Sequence, residues 1–193
     1  MARTVSISCE ASGSPLAKKA ASLLRREIAE RSGVRIVAAR DAECRLALAT
    51  AAGIGEEGFR IEGDGAAGVR IAGNDGRGVI YGVGRLLRSS RFRKGEFLPG
   101  AWRGASVPRN RVRGMYFATH FHNFYHEAPI GDVVRYVEDL ALWGCNALAV
   151  WFDMHHYAGM GDPAARKMVA RLRRILDAAT GVGIGAGLVS LAN

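Results

Sequence analysis

Hydrophobic positions in the second half of the chain alternate between two periods. Residues 111–125 (RVRGMYFATHFHNFY) open with an apolar run, and residues 145–157 (CNALAVWFDMHHY) contain another, unbroken from 147 to 152. Between them Val133, Val134, Val137, Leu140 and Ala141 recur on one helical face. After them Ala165, Met168, Val169, Leu172, Ile175, Leu176 and Ala179 do the same, and residues 184–193 (IGAGLVSLAN) supply a third apolar run. Strand, helix, strand, helix, strand through short connectors predicts βαβαβ with parallel strands. The unbroken run at 147–152 predicts a strand covered on both faces. Asp162-Pro163 offers the second helix a cap and a first-turn proline, and Gly144 and Gly181 stand where helices stop.

The first half reads differently. Residues 4–9 alternate as a short strand, and Ser14-Pro15 opens a helix whose Leu16, Ala20, Leu23, Leu24 and Ile28 share a face until Gly33 closes it. Residues 34–38 and 45–50 read as strands, and GFRIE (58–62) and GVRIA (68–72) as a strand pair joined by hairpin-turn chemistry. Asn74-Asp75 can cap a helix that places Val79, Ile80, Val83, Leu86 and Leu87 on one face. Between residues 89 and 110 the periodicity lapses and Gly, Pro and Arg dominate, which predicts a joint near 100–110. The expectation is an α/β chain of two domains, 1–107 a small sheet covered by two helices and 108–193 a run of parallel βα units.

Composition narrows the partners. With 193 residues and 49% hydrophobic content the chain can bury a core and is not disordered. The net charge of +9, from 27 Lys+Arg against 18 Asp+Glu, is scattered over predicted helix faces without a nucleic-acid-binding motif, so no nucleic acid is expected. No apolar stretch is long enough to cross a bilayer and no leader pattern opens the chain; no membrane partner and a cytoplasmic location are expected. Cys9, Cys44 and Cys145 lack metal or redox spacing and read as free thiols.

Gly53-Ile54-Gly55-Glu56-Glu57-Gly58 spells GxGxxG, but a strand and not a helix follows, so no N-terminus would receive a pyrophosphate. A plain turn is expected, and no cofactor. All five histidines, His120, His122, His126, His155 and His156, follow the ends of the first two strands of the βα pattern. Loops after strand C-termini form the working face of a (β/α) barrel. His120, His122, Trp151, Asp153, His155 and His156 are therefore candidate binding residues, with Trp151 an aromatic platform suited to sugars. His120, His122 and Asp153 could also hold a metal ion, but no further ligand spacing supports one and none is expected.

The segment GFRIEGDGAAGVRIAGNDGRGVIYGVGRLLR (58–88) resembles the accessory domain preceding the catalytic barrel of glycoside hydrolase family 20, the β-N-acetylhexosaminidases, and related domains of α-glucuronidases. That accessory fold is termed zincin-like, although it carries no zinc motif. Arg113-Gly114-Met115 resembles the start of the first barrel strand in that family, which implies that Arg113 binds hydroxyls of the terminal sugar. Where family 20 continues with an aspartate and an Arg-His pair, this chain has Phe117-Ala118-Thr119-His120-Phe121-His122, which implies altered specificity, hexosaminidase-like or glucuronidase-like. The resemblance implies an accessory domain followed by the first three parallel βα units of a TIM barrel, a carbohydrate partner, and a catalytic Asp-Glu pair beyond residue 193. A non-catalytic carbohydrate-binding or assembly module and, more remotely, a metal-dependent barrel enzyme remain alternatives. The sequence does not fix an oligomeric state.

Overall fold

The computed structural model describes residues 1–11, 13–65 and 67–191. They form two compact units, Met1–Arg109 and Asn110–Asn193. The turn expected at 63–67 includes Ala66, and the third predicted strand runs on to residues 192–193; these positions lie outside the described residues. No described helix is long and apolar enough to cross a membrane.

In the first unit β1 (Thr4–Cys9), α1 (Pro15–Ser32), β2 (Arg35–Ile36), β3 (Cys44–Thr50), β4 (Phe59–Gly63), β5 (Gly68–Gly73) and α2 (Gly76–Ser89) follow in order. Three short strands come after them, β6 (Arg91–Arg93), β7 (Glu96–Leu98) and β8 (Gly104–Ser106). The main sheet has the order β2-β1-β3-β5-β4-β8. It is parallel from β2 through β5, and β4 runs antiparallel to both β5 and β8. α1 packs on β1, β2 and β3, α2 on β3, β4 and β5, and the helices touch each other. Leu23, Leu24 and Ile28 of α1 and Ile80 and Leu86 of α2 close on Val5, Leu46, Leu48, Ile61 and Ile71 of the sheet, all buried. Burial of that size contributes roughly 1.5–3 kcal/mol per large side chain.

The predicted ends of α1 are met by chemistry. The Ser14 side chain accepts the Ala17 N–H, Pro15 occupies the first turn, and Gly33 stops the helix in the left-handed region at φ 68°. The stretch after residue 89 is more ordered than its sequence suggests. β6 and β7 form an antiparallel hairpin, tied to the chain start through paired hydrogen bonds between Ala2 and Phe97, and β8 extends the main sheet. Each of these strands is only three residues long, too short for alternation to register.

In the second unit β9 (Gly114–Phe117), α3 (Phe124–Glu127), α4 (Ile130–Leu142), β10 (Ala147–Asp153), α5 (Pro163–Gly181) and β11 (Gly185–Leu191) follow. The sheet order is β11-β10-β9 and both pairings are parallel, with Gly114 opposite Ala147, Phe117 opposite Val150, and Ala147 opposite Gly185. Val133, Val137, Leu140 and Ala141 of α4 and Ala165, Met168, Leu172 and Ile175 of α5 are buried as their spacing predicts. The short helix α3 was not foreseen.

One expectation for β10 needs correcting. Its burial alternates: Leu148, Val150 and Phe152 are buried, whereas Ala147, Ala149, Trp151 and Asp153 on the opposite face are only partly covered. Helices cover one face, and nothing among the described residues of this unit covers the other. The apolar run was a correct sign of a parallel strand, with one of its two faces covered among the described residues.

Candidate functional site

The turn at 53–58 is excluded as a site by its own bonding. Asn74 Oδ1 accepts the N–H groups of Ile54 and Gly55 at 3.1 and 3.2 Å. Asp75 accepts the Glu57 N–H at 2.8 Å with one oxygen and caps α2 through the Gly78 N–H at 2.9 Å with the other. The buried Glu57 carboxylate meets Arg77 at 2.7 Å. A Cβ on Gly78 would stand 2.1 Å from the Gly58 carbonyl oxygen, so α2 approaches the turn at backbone contact. The Asn-Asp-Gly-Arg-Gly segment is thus a clasp that leaves no cradle for a phosphate.

Chemistry gathers instead beyond the carboxyl ends of β9 and β10, which emerge on the same side because the strands are parallel. Phe117 faces the helices, stacked on Tyr125 at 4.0 Å and near Tyr136 at 5.9 Å. Its neighbour Tyr116 faces the uncovered side, edge-on to Trp151 at 6.4 Å. Thr119, buried, donates its hydroxyl to the Trp151 carbonyl, and Asn123 donates its amide to the Ala118 carbonyl, so the connecting loop is pinned to both strands.

This loop divides the predicted histidines into two groups. His120 turns to the uncovered side, 5.2 Å from the Trp151 ring and 3.8 Å from Phe121. His122 lies with the helices: its Nδ1 is 2.7 Å from Glu127 Oε1, and its ring stacks on His126 at 4.7 Å. His122, His126, Glu127, His156 and Tyr157 line a groove of about 810 Å³ against Lys167, Met168, Arg171 and Arg174 of α5. Arg171 fastens the two walls by donating to the carbonyls of Tyr125 at 3.0 Å and Ala128 at 2.7 Å.

Electrostatics in the groove follow burial and pairing. Burial chiefly lowers the pKa of His126, with Glu127 partly opposing, while the hydrogen bond from His122 holds the Glu127 carboxyl below its usual range. Burial raises the hydroxyls of Tyr125 and Tyr157. Among the described residues, three buried ring nitrogens of this region have no hydrogen-bond partner: His120 Nδ1, His126 Nδ1 and Trp151 Nε1.

Other predicted residues are placed differently. Arg113 precedes β9, at the end away from the histidines, where its guanidinium donates to the carbonyls of Gly144 and Asn110, each at 2.6 Å. It secures the α4–β10 connection, a correction to its expected place in the rim. Asp153 accepts the His155 N–H and shapes the turn after β10, and His155 is exposed and does not line the groove. His120, His122 and Asp153 do not form the metal cluster that their order in the chain allowed; the ligand atoms of His122, His126 and Glu127 do gather, all within 4.8 Å of one another. His126 and Glu127 were left out of the candidate set; His122 precedes α3 and turns through a positive φ, so no helical spacing signalled that the three would meet. Tyr116 was signalled by its alternation with Phe117.

The mixed sheet with two covering helices in the first unit is the fold of a glycoside hydrolase-associated domain. Residues 1–102, more than half of the chain, match the profile of Glycosyl hydrolase family 20, domain 2, and the chain belongs to that family. Solved structures share the fold across nearly the whole length. A GH20 β-N-acetylhexosaminidase from Streptomyces coelicolor A3(2) is 17% identical with a TM-score of 0.65, over 98% of this chain and 42% of its own. A GH20 exo-β-N-acetylglucosaminidase from Vibrio harveyi, in complex with N-acetylglucosamine, is 13% identical with a TM-score of 0.67, over 97% and 33%. A GH138 enzyme targeting pectin rhamnogalacturonan II is 17% identical with a TM-score of 0.69, over 98% and 31%. The chain therefore spans less than half the length of these structures. No curated protein matches it.

Proposed function

We propose that this chain is the accessory domain and the first three βα units of a (β/α)8 glycoside hydrolase that cleaves O-glycosyl bonds, with a saccharide held at the carboxyl ends of β9 and β10. The observation that carries this reading is the uncovered face of the parallel sheet, which bears Tyr116, Trp151 and Asp153, with His120 beside them. In a closed barrel that face turns inward and its carboxyl end carries the chemistry. Aromatic rings there suit the apolar faces of a sugar, and His120 Nδ1 and Trp151 Nε1, buried without a partner, would meet its hydroxyls once their rings turn outward. His122 and His156 lie in the groove on the helix side of the same strand ends, apart from that face. N-acetylglucosamine in the Vibrio harveyi relative makes N-acetylhexosamine the first sugar to test. The Asp-Glu pair of such an enzyme, the glutamate to protonate the leaving oxygen and the aspartate to orient the 2-acetamido group that attacks, is placed by this reading downstream of residue 193.

The test is an NMR titration with N-acetylglucosamine and, separately, glucuronic acid, following the indole N–H of Trp151. Saturable shifts there and in the Tyr116 ring, abolished in Trp151→Ala, are expected with one of the sugars. Absence of shifts with both overturns the binding face. Aryl glycosides should not be turned over by residues 1–193 alone, and steady hydrolysis would refute the downstream location of the carboxylate pair.

A further inference from the structure

The cluster of His122, His126 and Glu127 is built, not incidental. Asn123 accepts the Tyr125 N–H and starts α3 immediately after His122, which itself sits in the left-handed region at φ 50°. A non-glycine residue there costs about 1 kcal/mol or more and persists only where its surroundings enforce it. The turn is held from beneath by the Phe117–Tyr125 stack and from the side by the two Arg171 hydrogen bonds. This framework sets two imidazoles and one carboxylate at the mouth of the groove.

We propose that His122, His126 and Glu127 bind a divalent transition-metal ion, zinc by preference. Two histidines and one carboxylate are a three-ligand set that leaves a coordination position open, and nitrogen with oxygen suits zinc better than the hard ions magnesium and calcium. Zinc bonds of about 2.0–2.1 Å at tetrahedral angles place ligand atoms about 3.3 Å apart. The observed separations from Glu127 Oε1 are 2.7 Å to His122 Nδ1 and 3.9 Å to His126 Nδ1, with all ligand atoms inside 4.8 Å. They bracket the required value, and the exposed side chains of His122 and Glu127 can make the adjustment by rotation. His126 Nδ1 is buried without a hydrogen-bond partner, so an ion costs it none, while His122 and Glu127 exchange their mutual hydrogen bond for the metal. Lys167 and Arg174 line the same groove, and their positive charge predicts that an anion or water fills the open position.

The test uses the 193-residue chain stripped with a chelator and titrated with Zn²⁺ by calorimetry, with Co²⁺ as a spectroscopic probe. One equivalent is expected, together with the intense visible bands of four-coordinate cobalt. His122→Ala, His126→Ala and Glu127→Gln should each weaken affinity by about tenfold or more. Asp177→Asn, toward the other end of α5, should leave it unchanged. Glu127→Gln keeps the shape of the side chain, and amide exchange in β10 reports whether the variants remain folded. Substoichiometric uptake, or folded variants that bind as tightly as the parent, would overturn the proposal and leave His122 and Glu127 as a hydrogen-bonded pair.

Discussion

The turn at 53–58 and the loop at 118–127 both concentrate polar groups beside a strand end, but they dispose of those groups in opposite ways. In the first, the N–H groups of Ile54, Gly55 and Glu57 all end on Asn74 or Asp75, and Glu57 ends on Arg77. In the second, His120 Nδ1 and His126 Nδ1, with Trp151 Nε1 beside them, are buried and unmet among the described residues. An unmet buried donor or acceptor costs about 1–3 kcal/mol, so a fold retains one mainly where something else will meet it. The first loop meets its polar groups within the chain, and the second leaves three ring nitrogens unmet among the described residues, the ones assigned above to the proposed ligands.

The largest expected effect attacks the finished loop. Gly78→Ala drives a methyl group to 2.1 Å from the Gly58 carbonyl oxygen, where backbone and not a flexible side chain must yield. Unfolding of the first unit should become easier by about 3 kcal/mol, read from amide exchange in β3 and β5; a loss below about 1 kcal/mol would show that the clasp is loose. Asn74→Ala strands two N–H groups and should cost about 2 kcal/mol, with Asn74→Asp restoring most of it because an oxygen acceptor remains. Next comes the interior of the same unit. Burial pushes the Cys44 thiol up to about 11 from 9.0, against the pull of Arg45 and Arg103. The unfolded chain then loses this proton before the folded one does. The stabilising contribution is intact below pH 9 and disappears as pH rises through 11, amounting to about 1.4 kcal/mol lost by pH ~10. Cys44→Ala should lack this step in a pH series of denaturant melts.

Legibility followed the length of the signal. The helices were readable because apolar residues such as Leu23, Leu24 and Ile28, or Leu172 and Ile175, recur over several turns and are bracketed by Ser14-Pro15, Gly33 and Asp162-Pro163. β6, β7 and β8 offer three residues each and were hidden. Near the site, strand alternation predicts that Tyr116 and Phe117 part company, but it ends where the loop begins. Nothing in the order Thr119-His120-Phe121-His122 tells that His120 joins Trp151 while His122 turns back over α3 through a positive φ. Arg113 was read through a resemblance to a sugar-binding arginine, whereas its hydrogen bond to the Gly144 carbonyl is a long-range contact that local sequence does not encode.

The smallest effect separates the two loops most cleanly. Trp151→Phe keeps an aromatic face beside Tyr116 and removes only the indole N–H and part of the ring. If Nε1 is kept unmet for a ligand, its removal relieves the folded chain of a desolvated donor, and the change in stability should fall within about 1 kcal/mol of zero or be favourable. Saccharide affinity should drop about threefold to tenfold, because the platform stays and one hydrogen bond goes. The corresponding deletion in the finished loop, Asn74→Ala, can only destabilise, since its acceptor is already in use. A loss of about 2 kcal/mol in Trp151→Phe, measured by amide exchange across β10, would mean that the indole N–H is satisfied in the free protein, and the contrast between the loops would fail.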